Sequence, residues 1–168
     1  MAFTPYKIFP LEDMKVAVIS LSSTVKVGDA LIPGATGHNK SLKSAVNTTG
    51  MIVGVAVAIV GAKGNVLELN SVTTASTNES SPVYYVQYIP LGTPGLQFKA
   101  TLSAAAGTTT DSDGIGSFNL SSTDGAILDE TSIALFSATE KQFFSFGLDD
   151  TDNTNKTVIG VFAKTLTP

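Results

Sequence analysis

Apolar and polar residues alternate in short runs along most of the chain, and Gly, Pro, Asp and Asn separate the runs. Alternation with a period of two predicts strands that bury one face. Such runs occupy 14–21 (MKVAVISL), 24–33 (TVKVGDALIP), 83–89 (VYYVQYI), 96–102 (LQFKATL), 141–148 (KQFFSFGL) and 156–166 (KTVIGVFAKTL). Shorter strands are expected in IGSFNL and SIALFSA, on either side of a STDG turn. Strands recurring about every 8–12 residues between turn signals mark an all-β protein, built as an antiparallel barrel or sandwich. No segment reads as a helix.

One run breaks the alternation. Residues 51–60, MIVGVAVAIV, carry no charge and no polar side chain. A membrane-spanning helix needs about 20 apolar residues, twice this length. Ile52, Val53, Val55, Val57, Ile59 and Val60 are β-branched, which disfavours a helix by crowding at χ1. A strand fits. Its odd positions, from Met51 to Ile59, are all bulky, whereas Gly54, Ala56 and Ala58 on the even face are small. The bulky face fills a core, and the small face lets a second sheet or another chain approach closely. GAKGN then turns the chain into NVLELNSV, so the run opens a hairpin whose first strand is dry on both sides.

Three segments follow from this reading: an extended arm over 1–13, a β subdomain over 14–75 and another over 82–168. Whether the two halves form one barrel or two small subdomains stays open. The arm carries Phe3, Tyr6, Ile8 and Phe9, and Pro5 and Pro10 keep it from coiling into a helix. It either forms an edge strand on its own domain or lies on a neighbour. The polar stretch TTASTNESSP (73–82) is the expected boundary or long loop. Residues 1–80 hold six Lys and five acids, and residues 81–168 four Lys and nine acids, so the first half is the one expected to face a partner. Pro5, Pro10, Glu12 and Asp13 interrupt the N-terminal region, which therefore does not read as a signal peptide, and synthesis in the cytoplasm is expected.

Composition narrows the chemistry. The 168 residues include 17 Ser and 21 Thr, no Cys and no Arg, with a net charge of −4. Lacking Cys, the fold has neither disulfides nor thiolate metal sites. Without Arg, and with only 10 Lys, a nucleic-acid partner is not expected. The sole His, His38, sits in a Gly-rich loop without a GxSxG elbow, and reads as a solvated residue rather than a catalytic one. In LDDTDNTNK, Asp150, Asp152 and Thr154 have the spacing with which calcium loops begin, but the following Gly and distal Glu of such loops are missing. A hairpin turn accounts better for residues 149–155. Asp111 and Asp113 likewise lead into an Asp-Gly turn. Tyr84, Tyr85 and Tyr88, with Phe98, are candidates for a sugar-stacking platform, although Tyr85 falls on the opposite strand face from the other two. Asn47, Asn78, Asn119 and Asn155 head Asn-x-Ser/Thr sequons, which a Ser/Thr-rich chain contains by chance. No metal, cofactor or enzymatic activity is expected.

Two segments together carry a resemblance: VKVGDALIPG…GMIVGVAVAIVGAKGNVLEL, and VQYIPLGTPGLQFKATLSAAAG…GSFNL…FFSFGLDDTDNTNKTVIGVFAKTL. A Gly-Asp strand, a GVAV strand, a polar mid-chain loop and a last hairpin with an acidic turn resemble the small capsid decoration, or cement, proteins of tailed bacteriophages. The resemblance implies an all-β virion protein, often a homotrimer, on the capsid exterior, where it clamps subunits of the major capsid protein. It implies no membrane and no nucleic acid as partner. Under this reading the contact residues are Phe3, Tyr6, Ile8 and Phe9 of the arm and Gly54, Ala56 and Ala58 of the small face. The alternative is a carbohydrate-binding adhesin or fibre module.

Overall fold

The computed structural model describes residues 3–6, 13–34, 41–46, 51–91, 96–106, 113–134 and 141–163. These form fourteen strands: Thr4–Pro5 (β1), Lys15–Ile19 (β2), Thr24–Lys26 (β3), Ala30–Pro33 (β4), Ser41–Ser44 (β5), Gly54–Gly61 (β6), Val66–Leu67 (β7), Ser71–Thr73 (β8), Tyr84–Pro90 (β9), Phe98–Leu102 (β10), Ile115–Phe118 (β11), Ile127–Leu128 (β12), Phe143–Leu148 (β13) and Thr157–Phe162 (β14). Among the described residues there is no α-helix. The protein is all-β, as the alternating runs predict.

Five strands close into a barrel in the order β4-β5-β2-β9-β6, and β6 pairs back onto β4. Strand directions cannot alternate all the way round a ring of five, so at least one neighbouring pair must be parallel. That pair is β2 with β5, through Val18↔Ser41 and Ile19↔Leu42, and the other four contacts are antiparallel. The barrel is therefore not wholly antiparallel. Inside it pack Ile19, Leu31, Leu42, Val53, Ala56, Ile59, Val86 and Tyr88. The small β3–β8 ribbon adds Val25 and Val72 to the same core.

The second sheet runs β1-β10-β14-β13-β11, and β12 lies parallel beside β10. Leu120, just past β11, bridges Leu128 of β12 and curls this sheet back towards β10. Its inner face carries Phe98, Ala100, Phe118, Phe143, Val158 and Phe162, which pack on Ala30, Ile52, Val55 and Ile89 from the barrel wall. Gly160 keeps this sheet thin: a Cβ there would collide with the Phe144 carbonyl and the Phe143 ring.

Strand β6 explains why the chain has one long uncharged run. Ala56 and Ile59 face the barrel interior, while Ile52 and Val55 face the second sheet. Both sides are dry, as expected, but the alternation is not strict. Register slips between Ala56↔Tyr88 and Ala58↔Gln87, so Val57 is an extra residue, a β-bulge that exchanges the faces of the residues after it. The even positions therefore do not form one continuous small face. Gly54 lies against the Tyr88 ring and the Ile89 carbonyl, and a Cβ would clash with both.

The polar stretch after β8 is not where the sheets change over. Strand β9 lies beyond it and still completes the barrel between β2 and β6. The stretch folds onto the barrel through Asn78, which is buried. Asn78 Nδ2 donates to the carbonyls of Ile19 (2.7 Å) and Tyr84 (3.1 Å), and Oδ1 accepts from the N–H groups of Val83 and Tyr84. Beside it, the Glu79 carboxylate accepts from the hydroxyls of Ser20 and Ser41, both at 2.8 Å.

The N-terminal residues also fold onto their own chain. Thr4 and Pro5 pair with Lys99 and Phe98, the Tyr6 N–H donates to the Gln97 carbonyl, and Phe3 is 2 % exposed. Its ring lies 4.9 Å from Phe162 and 5.7 Å from Phe143, within the spacing at which aromatic pairs attract.

Two stability predictions follow from these contacts. Phe3→Ala should lower unfolding free energy by about 3 kcal/mol, the usual cost of deleting a buried Phe ring, read from urea denaturation. Asn78→Ala leaves four backbone groups without their partner and should cost about 2–3 kcal/mol by the same measurement. A change below about 0.5 kcal/mol in either variant would contradict the assigned burial.

Candidate interaction surfaces

Closing the barrel and stacking it on the second sheet leaves two sheet faces outward, and both are short of charge. The first is the barrel wall formed by β2, β9, β6 and β7. On β2, Ala17 and Ile19 point inward, so Val16 and Val18 point out. Register places Val16 beside Gln87 and Val18 beside Tyr85, and on the other side Gln87 pairs with Ala58 and Tyr85 with Val60. Val60 in turn pairs with Val66 of β7. Val16 is 57 % and Val66 62 % exposed, with Val60 buried between its neighbours. A singly exposed aliphatic is ordinary on a protein surface, whereas a contiguous apolar group on one sheet face marks an interaction site.

The second face is the outside of the other sheet. Phe143 and Ser145 are buried on its inner side, so Phe144 points out, paired with Ser117 and Val161. Between Ser145 and Gly147 the β13–β14 register shifts, and the extra residue is Phe146. The bulge pushes its ring outward to 48 % exposure beside Ile115. The Phe144 and Phe146 rings meet edge to face at 5.7 Å. Ile159, opposite Gly147, completes the patch.

Polar groups border this aromatic patch on the β10 side. Lys99 pairs with Ile159 across β10–β14, and its ammonium bonds the Asp149 carboxylate at 2.5 Å while lying 5.6 Å from the centre of the Tyr6 ring. A cleft of about 260 Å³ opens here, lined by Thr4, Lys99, Thr101, Asp149, Thr151 and Thr157 among others. The carboxylates in it are already engaged. Asp149 Oδ1 accepts from the Thr151 N–H and hydroxyl, and Lys99 occupies Oδ2. The Lys99 bond, aided by Thr151, holds its pKa below the usual carboxylate range. Asp152 accepts from the hydroxyl and N–H of Thr154 and from the N–H groups of Lys156 and Thr157, which depress its pKa strongly. The acidic stretch 149–155 is thus the hairpin turn between β13 and β14, with its Asp oxygens spent on closing the turn. Among the described residues no group of three or more acidic, His or Cys side chains is arranged to hold a metal ion.

The residues singled out from the sequence are distributed differently from the expectation. Phe3, Gly54 and Ala56 meet their own chain: Phe3 in the core between the sheets, Gly54 under Tyr88, Ala56 inside the barrel. Tyr6 is 45 % exposed, and Ala58 is half-buried on the barrel's outer wall. Ile8, Phe9, His38 and Asp111 lie outside the described residues. The Tyr platform is not assembled. Tyr88 is in the barrel interior with Tyr84 packed against the same cluster, Tyr85 is on the outer wall, and Phe98 is fully buried in the other core. Sequence reasoning passed over Phe146, although plain alternation puts it on the same strand face as Phe144, and Val16, whose exposure depends on the barrel closing inward around Ile19.

A titratable group sits at the joint between the two sheets. Asp29, 1 % exposed, accepts the Lys26 N–H on Oδ2 at 2.9 Å, whereas Oδ1 and the nearby Ser44 Oγ are buried without a hydrogen bond. Across the joint Lys26 pairs with Asp124 at 3.1 Å and the Ala30 N–H donates to the Gly125 carbonyl. Burial raises the Asp29 pKa, with the Lys26 N–H opposing and the Asp124 charge reinforcing the shift. The folded state then holds this proton more tightly than the unfolded chain, so the ionised group costs stability at neutral pH. That cost disappears as pH falls through the raised folded pKa.

No family model, curated protein or solved structure matches this chain. For the joint, Asp29→Asn should be at least as stable as the wild type at pH 7, and the difference should shrink as pH falls to about 3, below the ordinary Asp pKa, where the carboxyl is mostly protonated in both states. Urea midpoints at the two pH values test this, and a variant clearly less stable at pH 7 would contradict it.

Proposed function

We propose that this protein is a structural bridging protein of a virion, a capsid decoration protein that binds the outer surface of the shell and stabilises it by joining capsid subunits. The observation that carries this reading is the pair of uncharged apolar faces on two sheets that share one core. Val16, Val18, Val66 and Tyr85 supply the barrel face, and Phe144 and Phe146 lead the other. A molecule with two such faces gains binding energy only when both surfaces it joins are present, so it stabilises the assembled state by mass action.

The likeness to tailed-phage cement proteins supplies the identity of the partner, the major capsid protein. The exposed aliphatic side chains of the barrel wall support a contact surface there. The chemistry suits such a contact. An uncharged aliphatic face loses little on desolvation, and an acidic chain without Arg has no affinity for the packaged genome inside the shell. The adhesin alternative loses its Tyr84–Tyr85–Tyr88 platform.

Shells assembled from the major capsid protein of the same virion provide the test. The wild type should co-sediment with them. Val16→Glu combined with Val66→Glu should reduce binding at least tenfold while leaving the circular dichroism spectrum unchanged, because both side chains are exposed. Wild-type protein that fails to decorate shells, or a double variant that binds with full affinity, would overturn the assignment.

A further inference from the structure

We infer that the joint between the barrel and the second sheet is a proton-operated latch: a proton on the Asp29 carboxyl keeps the 121–125 turn docked on β4 and β5, and its loss loosens that docking. The inference does not rest on what the outward faces bind.

Asp29 itself is pinned. Its N–H donates to the Lys26 carbonyl at 3.1 Å, its carbonyl accepts the Ala56 N–H at 2.9 Å, and Oδ2 accepts the Lys26 N–H at 2.9 Å. Gly28, at φ +89°, turns the chain just before it. These bonds hold the carboxyl inside the joint whatever its charge, so the turn across from it is the part left to respond. That turn is closely packed. The Ala30 N–H donates to the Gly125 carbonyl at 2.9 Å, and a Cβ on Gly125 would stand 2.2 Å from Ser44 Oγ and 3.3 Å from the Ala45 nitrogen.

The charges at the joint do not balance. A cleft of about 110 Å³ there is lined by Asp29, Asp124 and Lys26, with Ser44 and Thr123. Two carboxylates thus share one ammonium. Lys26 Nζ bonds Asp124 at 3.1 Å, and its side chain is 48 % exposed, so water screens what it offers Asp29. Asp29 Oδ1 is buried near Ser44 Oγ, and neither atom closes a hydrogen bond. Among the described residues the other packed elements add no compensating charge. Strand β5 contributes Ser44, with Lys43 on its opposite face, and β6 contributes only the Ala56 backbone. When Asp29 is ionised, a buried negative charge therefore faces Asp124 across the joint. A proton removes that charge and gives the carboxyl a donor for Ser44 Oγ. Displacing the turn is the other remedy, because it admits water.

The docked joint holds the proton more tightly than the opened one, since burial raises the Asp29 pKa. Docking is then firmest below the ordinary carboxylate range and weakens as pH rises through the raised value. The last hairpin responds with the opposite sign. Asp149 and Asp152 have lowered pKa values, so their contribution is present at neutral pH and is lost as pH falls. Opposite signs separate opening of the joint from general acid destabilisation.

Amide hydrogen exchange followed by NMR on the full chain, between about pH 3 and pH 7 and with each rate divided by its intrinsic value, tests the latch. Protection of the Ala30 N–H should fall at least about threefold as pH rises across this range. The Thr157 N–H, which bonds Asp152 Oδ2, should lose none. In Asp29→Asn the Ala30 profile should be flat. Asp124→Asn should keep a smaller fall, because burial is the larger cause. If Asp29→Asn does not fold, the carboxyl carbon shift of Asp29 in the wild type decides, since it must titrate where Ala30 protection changes. A flat Ala30 profile in the wild type, a fall that persists in Asp29→Asn, or one that vanishes in Asp124→Asn would each overturn the latch. So would recovery of Ala30 protection at pH 7 on adding about 10 mM calcium, since the compensating charge would then be a metal ion.

Discussion

A strand buried on both faces has to find two partners at once, and the placement of β6 imposes this on the whole molecule. One side of β6 needs a barrel interior and the other needs a second sheet. Neither core can form with only half of the chain, because Ile52 and Val55 are completed by Phe98, Phe118 and Phe143 from the other half. Apolar burial is the main favourable contribution to folding. Here it is shared across a common wall, and the sheets are fixed against each other by packing as well as by the hydrogen bond from Ala30 to Gly125 and the Lys26–Asp124 pair. Gly54 and Gly160 leave room for Tyr88 and Ile89 of β9 and for Phe143 and Phe144 of β13, the neighbouring strands in their own sheets.

The same constraint leaves the outward faces unusual. Charged residues make up only 14 % of the chain, and turns claim a good share of the acids. Asp149 and Asp152 close the last hairpin, and Asp124 and Asp129 accept from N–H groups two residues on. Few charges remain for the middles of the sheet faces, so these stay aliphatic or aromatic. Solubility then rests on Ser and Thr hydroxyls and on net charge near the turns. This distribution suits a protein that works by contact. The buried Asp29 is the exception, a carboxylate with one oxygen on the Lys26 N–H and the other in the buried joint near the Ser44 hydroxyl.

Much of the fold was legible from side-chain alternation alone. The all-β class, the last hairpin and the two-sided burial of β6 follow from period-two patterning and β-branched composition. What escaped is what alternation cannot encode. The bulge at Val57 inserts one residue and inverts the pattern, so the small face of β6 dissolved, and the bulge at Phe146 shifts the β13–β14 register without any mark in the alternation. The polar stretch 73–82 reads as a linker by composition, but Asn78 makes four hydrogen bonds to the barrel, and polarity does not distinguish solvated amides from buried ones. Phe3 was read as available to a neighbour because the sequence cannot say that Phe143 and Phe162, some 140 residues later, complete its pocket.

The parallel pairing of β2 with β5 and the late insertion of β9 between β2 and β6 bear on how the molecule is made. A nascent chain leaving the ribosome cannot close the ring until residues 84–90 have emerged, so the first six dozen residues wait with open strand edges. Most of its pairings span long sequence separations, the kind of topology that folds slowly and is exposed to misassembly meanwhile.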